Sequence, residues 1–204
     1  MTILKLASIL RSSTWSTINF NLSKEKISSC PIRKIFSARL RKYDCKEELF
    51  SNSNTNVFPK NYFELTEAEK FEVLSKVKGS IDPTVFENEI TRLTLESVQA
   101  IKTIQENNGE FGANRYIISN NESALNVMET YALFRLSGWQ NPTVDIVPLF
   151  ESVDDLQSAH EIMEKLYTNE TYAAHLLSRN NKQTIMLGFS DGTKDGGYLM
   201  ANWS

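Results

Sequence analysis

The chain has 204 residues, 41% of them hydrophobic and 23% charged, with a formal net charge of −3. That is an ordinary globular composition with length for a real core, and it argues against a disordered or fibrous chain. No apolar run approaches the ~20 residues a membrane helix needs, and two cysteines, Cys30 and Cys45, set no disulfide framework and point to a reduced, intracellular setting.

Charge is unevenly placed. Residues 1–43 hold nine Lys/Arg against one acid, Glu25, a net +8; with −3 for the whole chain, residues 44–204 carry −11. A basic, Ser-rich, acid-poor leader has the form of a transit peptide. The preferred expectation is a disordered leader, with residues 44–204 as the domain. No nucleic-acid-binding motif accompanies the basic stretch.

Residues 51–56 read as a short polar loop. Thr66-Glu67-Ala68-Glu69 reads as a capping box that opens a helix stopping before Gly79. Pro83 is expected to start the next helix. Its apolar stripe is Phe86, Ile90, Leu93, Val98, Ile101 and Ile104, and it ends near Asn107-Asn108-Gly109.

A strand–helix alternation follows. Residues 115–119 read as a strand. Ser119 to Asn121 can cap a helix with Leu125, Met128, Ala132, Leu133 and Leu136 on one face, closed by Gly138. Residues 144–150 form the next strand. Ser152-x-x-Asp155 starts a helix with Leu156, Met163, Leu166 and Tyr167 inward. Residues 171–178 read as another helix, 184–189 as a third strand, and 198–203 as the start of a further helix. Three strand-to-helix units in series imply a parallel sheet, in a doubly wound fold or a (β/α)8 barrel.

Four of the eight glycines lie between Gly188 and Gly197, beside Ser190, Asp191, Lys194 and Asp195. Glycine permits positive φ and close backbone approach to a ligand. An apolar strand opening into Gly188, Ser190, Gly192, Asp195, Gly196 and Gly197, with Asp191-x-x-Lys194, has the form of an active-site loop. An ordinary tight turn needs only one or two glycines.

Glu151 and Asp191 each follow the C-terminal end of an expected parallel strand, where barrel enzymes place their sites. Two hard oxygen ligands suit Mg²⁺ or Mn²⁺, which keep waters and take substrate oxygens. On the residues alone, Glu151 reads equally well as an acid at a helix N-terminus. Lys194 reads as a solvated lysine or as a cation beside a phosphorylated substrate. His160 and His175 fall in no catalytic pattern, Arg115 and Arg135 take no catalytic role, and Ser190 lacks the base a serine hydrolase needs.

Gly188-Phe189-Ser190-Asp191-Gly192-Thr193-Lys194-Asp195-Gly196-Gly197, preceded by Ile185-Met186-Leu187, resembles the signature loop of phosphoenolpyruvate carboxylases. Phe189 stands where Tyr is usual and Gly192 where a second Ser is usual; the Asp and Lys are kept. Val147-Pro148-Leu149-Phe150-Glu151-Ser152 is similar to the family's Pro-Leu-Phe-Glu-Thr segment. The resemblance runs from about Tyr43 to the C-terminus.

It implies a helix-rich α/β fold, an incomplete (β/α)8 (TIM-type) barrel, since a full barrel takes ~250 residues. It implies Glu151 and Asp191 as ligands of Mg²⁺ or Mn²⁺ and Lys194 as the catalytic lysine. The implied reaction is carboxylation of phosphoenolpyruvate with bicarbonate to oxaloacetate and phosphate, through carboxyphosphate and a metal-held enolate. The parent family is homo-oligomeric and cytoplasmic, with no nucleic-acid or membrane partner. The family's catalytic His and its Gly-Arg-Gly-Gly loop fall outside this chain, so the chain alone is expected to be inactive. A non-catalytic truncated product or interaction fragment is the alternative, and another barrel enzyme of phosphoenolpyruvate or 2-oxo acids a more distant one.

Overall fold

A computed structural model describes residues 35–38, 48–50, 57–59 and 61–203. The expected loop 51–56 and both cysteines lie outside the described residues. So does the basic segment, apart from residues 35–38.

Four strands, β1 (Ile35–Ala38), β2 (Arg115–Ile118), β3 (Asp145–Phe150) and β4 (Met186–Leu187), form a parallel sheet in the order β1-β2-β3-β4. The helices are α1 (Glu67–Lys76), α2 (Glu89–Asn108), α3 (Ala124–Leu136), α4 (Val153–Thr168), α5 (Glu170–Ser178) and α6 (Phe189–Trp203). Parallel neighbours need crossovers rather than hairpins. Accordingly α3 joins β2 to β3, and α4 with α5 joins β3 to β4. Four residues assigned to the leader thus form β1, paired with β2 from Ile35↔Arg115 to Ala38↔Ile118.

Side chains alternate across the strands with period two. Tyr116, Ile118, Ile146 and Phe150 join the main core under the helices; Ile117, Val147 and Leu149 form a second cluster with Met186. Both faces of β2 and β3 are buried, the usual condition of parallel strands. β3 pairs β2 along one edge, from Asp145 to Pro148, and β4 along the other, from Leu149 to Phe150.

The capping box at Thr66 forms as read, and the helix start at Ser152 proves to be a second one. Thr66 caps α1 with Glu69, and Ser152 caps α4 with Asp155. Four expectations are corrected. Pro83 opens only the 3-10 turn Pro83–Val85; α2 begins at Glu89 under Asn88, whose Oδ1 accepts from the Ile90 N–H at 2.8 Å. Phe86 is buried but precedes α2, Ile90 is exposed, and the buried positions of α2 are Thr91, Leu95, Val98 and Ile101. α3 starts under Ser123 and is buried nearly all round, because it packs against α1, α2, α4 and β3 together. In α4, Ile162 is buried and Tyr167 is exposed.

A fifth correction concerns the last strand. It covers only Met186–Leu187, and α6 starts at Phe189.

Candidate active site

Phe150 pairs with Leu187 in register, so Glu151 and Gly188 leave the sheet side by side. The Gly188 N–H donates to the Phe150 carbonyl at 2.8 Å. A β-carbon built on Gly188 would lie 2.7 Å from Cβ and 2.8 Å from Cα of Glu151. No real side chain tolerates that approach, so only glycine lets the end of β4 reach Glu151 this closely.

Glu151 is half-buried. Its Oε1 accepts from the backbone N–H of Asn120 at 2.8 Å. Asn120 follows β2 with φ at +55°, the left-handed region that Asn visits more readily than most residues. One oxygen of the carboxylate is thereby fixed by the end of the neighbouring strand. The acids that complement the start of α4 are different residues. Asp155 Oδ2 accepts from Ser152 N–H at 3.1 Å, and Asp195 Oδ2 accepts from Val153 N–H at 2.9 Å.

The glycine-rich segment is not a loop. Residues 189–196 are helical, and Gly197, at φ +81° and ψ +166°, separates them from a second helical stretch at 198–203. Within the first stretch the Gly192 N–H donates to the Gly188 carbonyl at 2.8 Å. Glycine costs about 1 kcal/mol relative to alanine inside a helix, so propensity alone does not select this conformation. Close packing supplies a reason: a β-carbon on Gly196 would lie 2.6 Å from Val153 Cγ2.

Asp191 and Lys194 are one helical turn apart, which puts them on one face. Lys194 Nζ lies 3.5 Å from Asp191 Oδ1, with the side chains 74% and 55% exposed. An ion pair that exposed contributes little to stability. Ser190 is exposed in the same turn and Gly192 is buried beneath it. A β-carbon on Gly192 would sit 3.7 Å from the Glu151 carbonyl oxygen, so the turn carrying Asp191 abuts the Glu151 backbone.

Among the described residues there is no group of three or more His, Cys, Asp and Glu that could hold a metal. Glu151 and Asp191 therefore do not suit a closed protein cage. Two carboxylates do suit Mg²⁺ or Mn²⁺, which take one or two carboxylates and leave the remaining positions to water and substrate.

The histidines stand apart from this region. His160 is exposed. His175 is buried on α5 with ring centroids 4.9 Å from Tyr131 and 5.6 Å from Tyr172. Burial, helped by the Arg179 guanidinium, pushes its pKa down to about 4, against the pull of Asp145 and a hydrogen bond with the Val144 backbone. Arg179 bridges Asp145 and Glu110, each at 2.7 Å. Asp145 opens β3 and Glu151 follows its end, roughly 20 Å away along an extended strand. Arg135 is also buried, with Nη1 donating to the Ser75 carbonyl at 2.7 Å.

The sequence model of the phosphoenolpyruvate carboxylase family matches residues 42–204. This chain belongs to the phosphoenolpyruvate carboxylase family. It is 38% identical over 173 residues to phosphoenolpyruvate carboxylase of Corynebacterium glutamicum, covering 79% of this chain and 18% of the relative. The corresponding protein of Nitrosomonas eutropha is 36% identical over 155 residues, covering 71% and 16%. That of Gloeobacter violaceus is 33% identical over 151 residues, covering 70% and 16%. The chain thus spans less than a fifth of the length of these relatives.

Two hydrogen bonds near the site have little signal in the sequence. Asn120 carried a weak signal, since an Asn pair directly after a strand suits positive φ. Asp195 was read as part of the loop, but its bond to Val153 across 42 residues has no local signature.

Proposed function

We propose that this chain carries part of the active site of a phosphoenolpyruvate carboxylase: Glu151 and Asp191 as the ligands of Mg²⁺ or Mn²⁺, and Lys194 as the catalytic lysine. The observation that carries the reading is the apposition of Glu151 with Gly188, which sets the backbone of one acidic residue beside the first turn of the helix bearing the other two groups. Both strand ends point the same way, which supports reading the sheet as an arc of a (β/α)8 barrel with its site at the C-terminal face.

The substrates would be phosphoenolpyruvate and bicarbonate, the products oxaloacetate and phosphate. When bound, the metal supplies a Lewis acid for substrate oxygens. The chain's own residues do three things. Asn120 holds Glu151 through Oε1, leaving Oε2 to ligate the metal. Asp191 offers its carboxylate from the facing helix. Lys194 exchanges its exposed pairing with Asp191 for the negative charge that develops on substrate.

Carboxylation also demands exclusion of water, or the activated substrate is simply protonated. Asp191 and Lys194 are open to solvent in this structure, so the cover must come from other parts of the longer family chain. The exposed Leu187, Leu199 and Trp203 around the same helix support such a covering element. The chain by itself is therefore read as inactive, with the cytoplasmic setting expected of the family carried over. Among the described residues no helix is long and apolar enough to cross a membrane.

A coupled assay for oxaloacetate with the purified chain tests this. The expected rate is indistinguishable from a no-protein blank. Turnover that disappears in Lys194→Met would contradict the inactivity while supporting the site; turnover that survives it would sink the assignment of Lys194.

A further inference from the structure

We propose that Asp195 is a positioning residue: its carboxylate latches the signature helix α6 onto the N-terminus of α4 and so sets Asp191 and Lys194 against Glu151. The inference rests on the reading of Glu151, Asp191 and Lys194 as one site.

Three observations converge on it. Asp195 Oδ2 accepts from Val153 N–H at 2.9 Å. Val153 is the first residue of α4, where the N–H groups lack partners within the helix and the dipole favours negative charge. Next to Asp195, Gly196 lies so close to Val153 that a β-carbon would stand 2.6 Å from Cγ2. Immediately before the same helical stretch, Gly188 lies against Glu151 and donates to the Phe150 carbonyl. The stretch from 188 to 196 is therefore pinned at both ends to residues 150–153. Asp191 and Lys194 lie between the two pins.

The chemistry explains why an acceptor is needed here. Ser152 and Asp155 already satisfy each other's N–H groups through the capping box. Asp195 provides the acceptor for Val153 from outside α4. Its neighbour Lys194 pairs with Asp191 instead, at 3.5 Å, so adjacent residues divide the two tasks: Lys194 faces the site and Asp195 anchors it.

The test uses the full chain with Asp195→Ala, Asp195→Asn and Gly196→Ala. Two quantities are measured: hydrogen exchange at the Val153 amide, and Mn²⁺ affinity by electron paramagnetic resonance. Asn keeps an acceptor at the same place. The expected result is that Asp195→Ala speeds Val153 exchange about tenfold and weakens Mn²⁺ binding several-fold, with the helical circular dichroism signal unchanged. Gly196→Ala should reproduce both losses, and Asp195→Asn should restore most of each. Unchanged exchange in Asp195→Ala would overturn the latch. Faster exchange with wild-type Mn²⁺ affinity would overturn its role in setting the site. A wild-type chain that binds no Mn²⁺ would remove the metal reading, and with it the role in setting the site; the exchange comparison would still decide whether Asp195 anchors α6.

Discussion

Gly188 lies against Glu151 so closely that a β-carbon would approach the Glu151 Cα to 2.8 Å. The obstacle is backbone, which cannot rotate aside. Gly188→Ala should therefore destabilise the chain by about 1–3 kcal/mol through overpacking. Gly192, inside the helix that follows, is the contrast. Its β-carbon would meet Ala201 and the Glu151 carbonyl only at 3.7 Å, an ordinary contact. Gly192→Ala should stabilise by about 0.4–1 kcal/mol, by restricting the unfolded chain. Urea unfolding of the two variants checks the opposite signs.

Asn120 holds Glu151 through its backbone N–H while sitting at φ +55°. Alanine in that conformation costs about 1–2 kcal/mol, whereas glycine does not. Asn120→Ala should lower both stability and Mn²⁺ affinity, and Asn120→Gly should leave Mn²⁺ affinity near wild type. Equal Mn²⁺ affinities for wild type and both variants would show that the left-handed turn does not set Glu151.

Leu95 is wholly buried on α2, while Ile90 on the same helix is 36% exposed. Leu95→Ala should cost about 2–5 kcal/mol, the transfer and cavity cost of a core leucine. Ile90→Ala should cost well under half of that, measured by the same unfolding curves.

His175 is held neutral, its pKa pushed down to about 4 by burial and by Arg179. The unfolded chain binds a proton there near the ordinary value of about 6.5. Between these two values the unfolded state carries more protons, so stability rises with pH across the window. The contribution is fully present above about 6.5 and drains away as pH falls toward 4, by roughly 3 kcal/mol at most. His175→Phe should flatten that part of the stability profile; an unchanged slope between pH 4 and 6.5 would assign the dependence to other groups.

Local chemistry made much of the fold legible. The capping boxes at Thr66 and Ser152 and the runs around Ile117 and Val147 place α1, α4, β2 and β3 because the signals lie within a few residues. α3 was misread as one-faced because the sequence does not show how many neighbours cover it; the buried Glu129, Thr130 and Arg135 look like an outer face. Residues 188–197 were misread as a loop because glycine disfavours helix on its own. What outweighs propensity there is contact with Glu151 and Val153, some forty residues earlier. The strand ends that carry Glu151 and Asp191 were legible from two motifs; the hydrogen bonds that Asn120 gives Glu151 and that Asp195 accepts from Val153 were not.

The central claim is that Glu151 and Asp191 form one metal half-site. Mn²⁺ titration of the purified chain tests it most directly, comparing wild type with Asp191→Ala, Glu151→Ala and the double variant. The account predicts that wild type binds and that either single substitution abolishes or strongly weakens binding. It also predicts that the second substitution adds little to the first, because the two ligands act on one ion. Binding that persists in the double variant, or no binding by a folded wild-type chain, would contradict it.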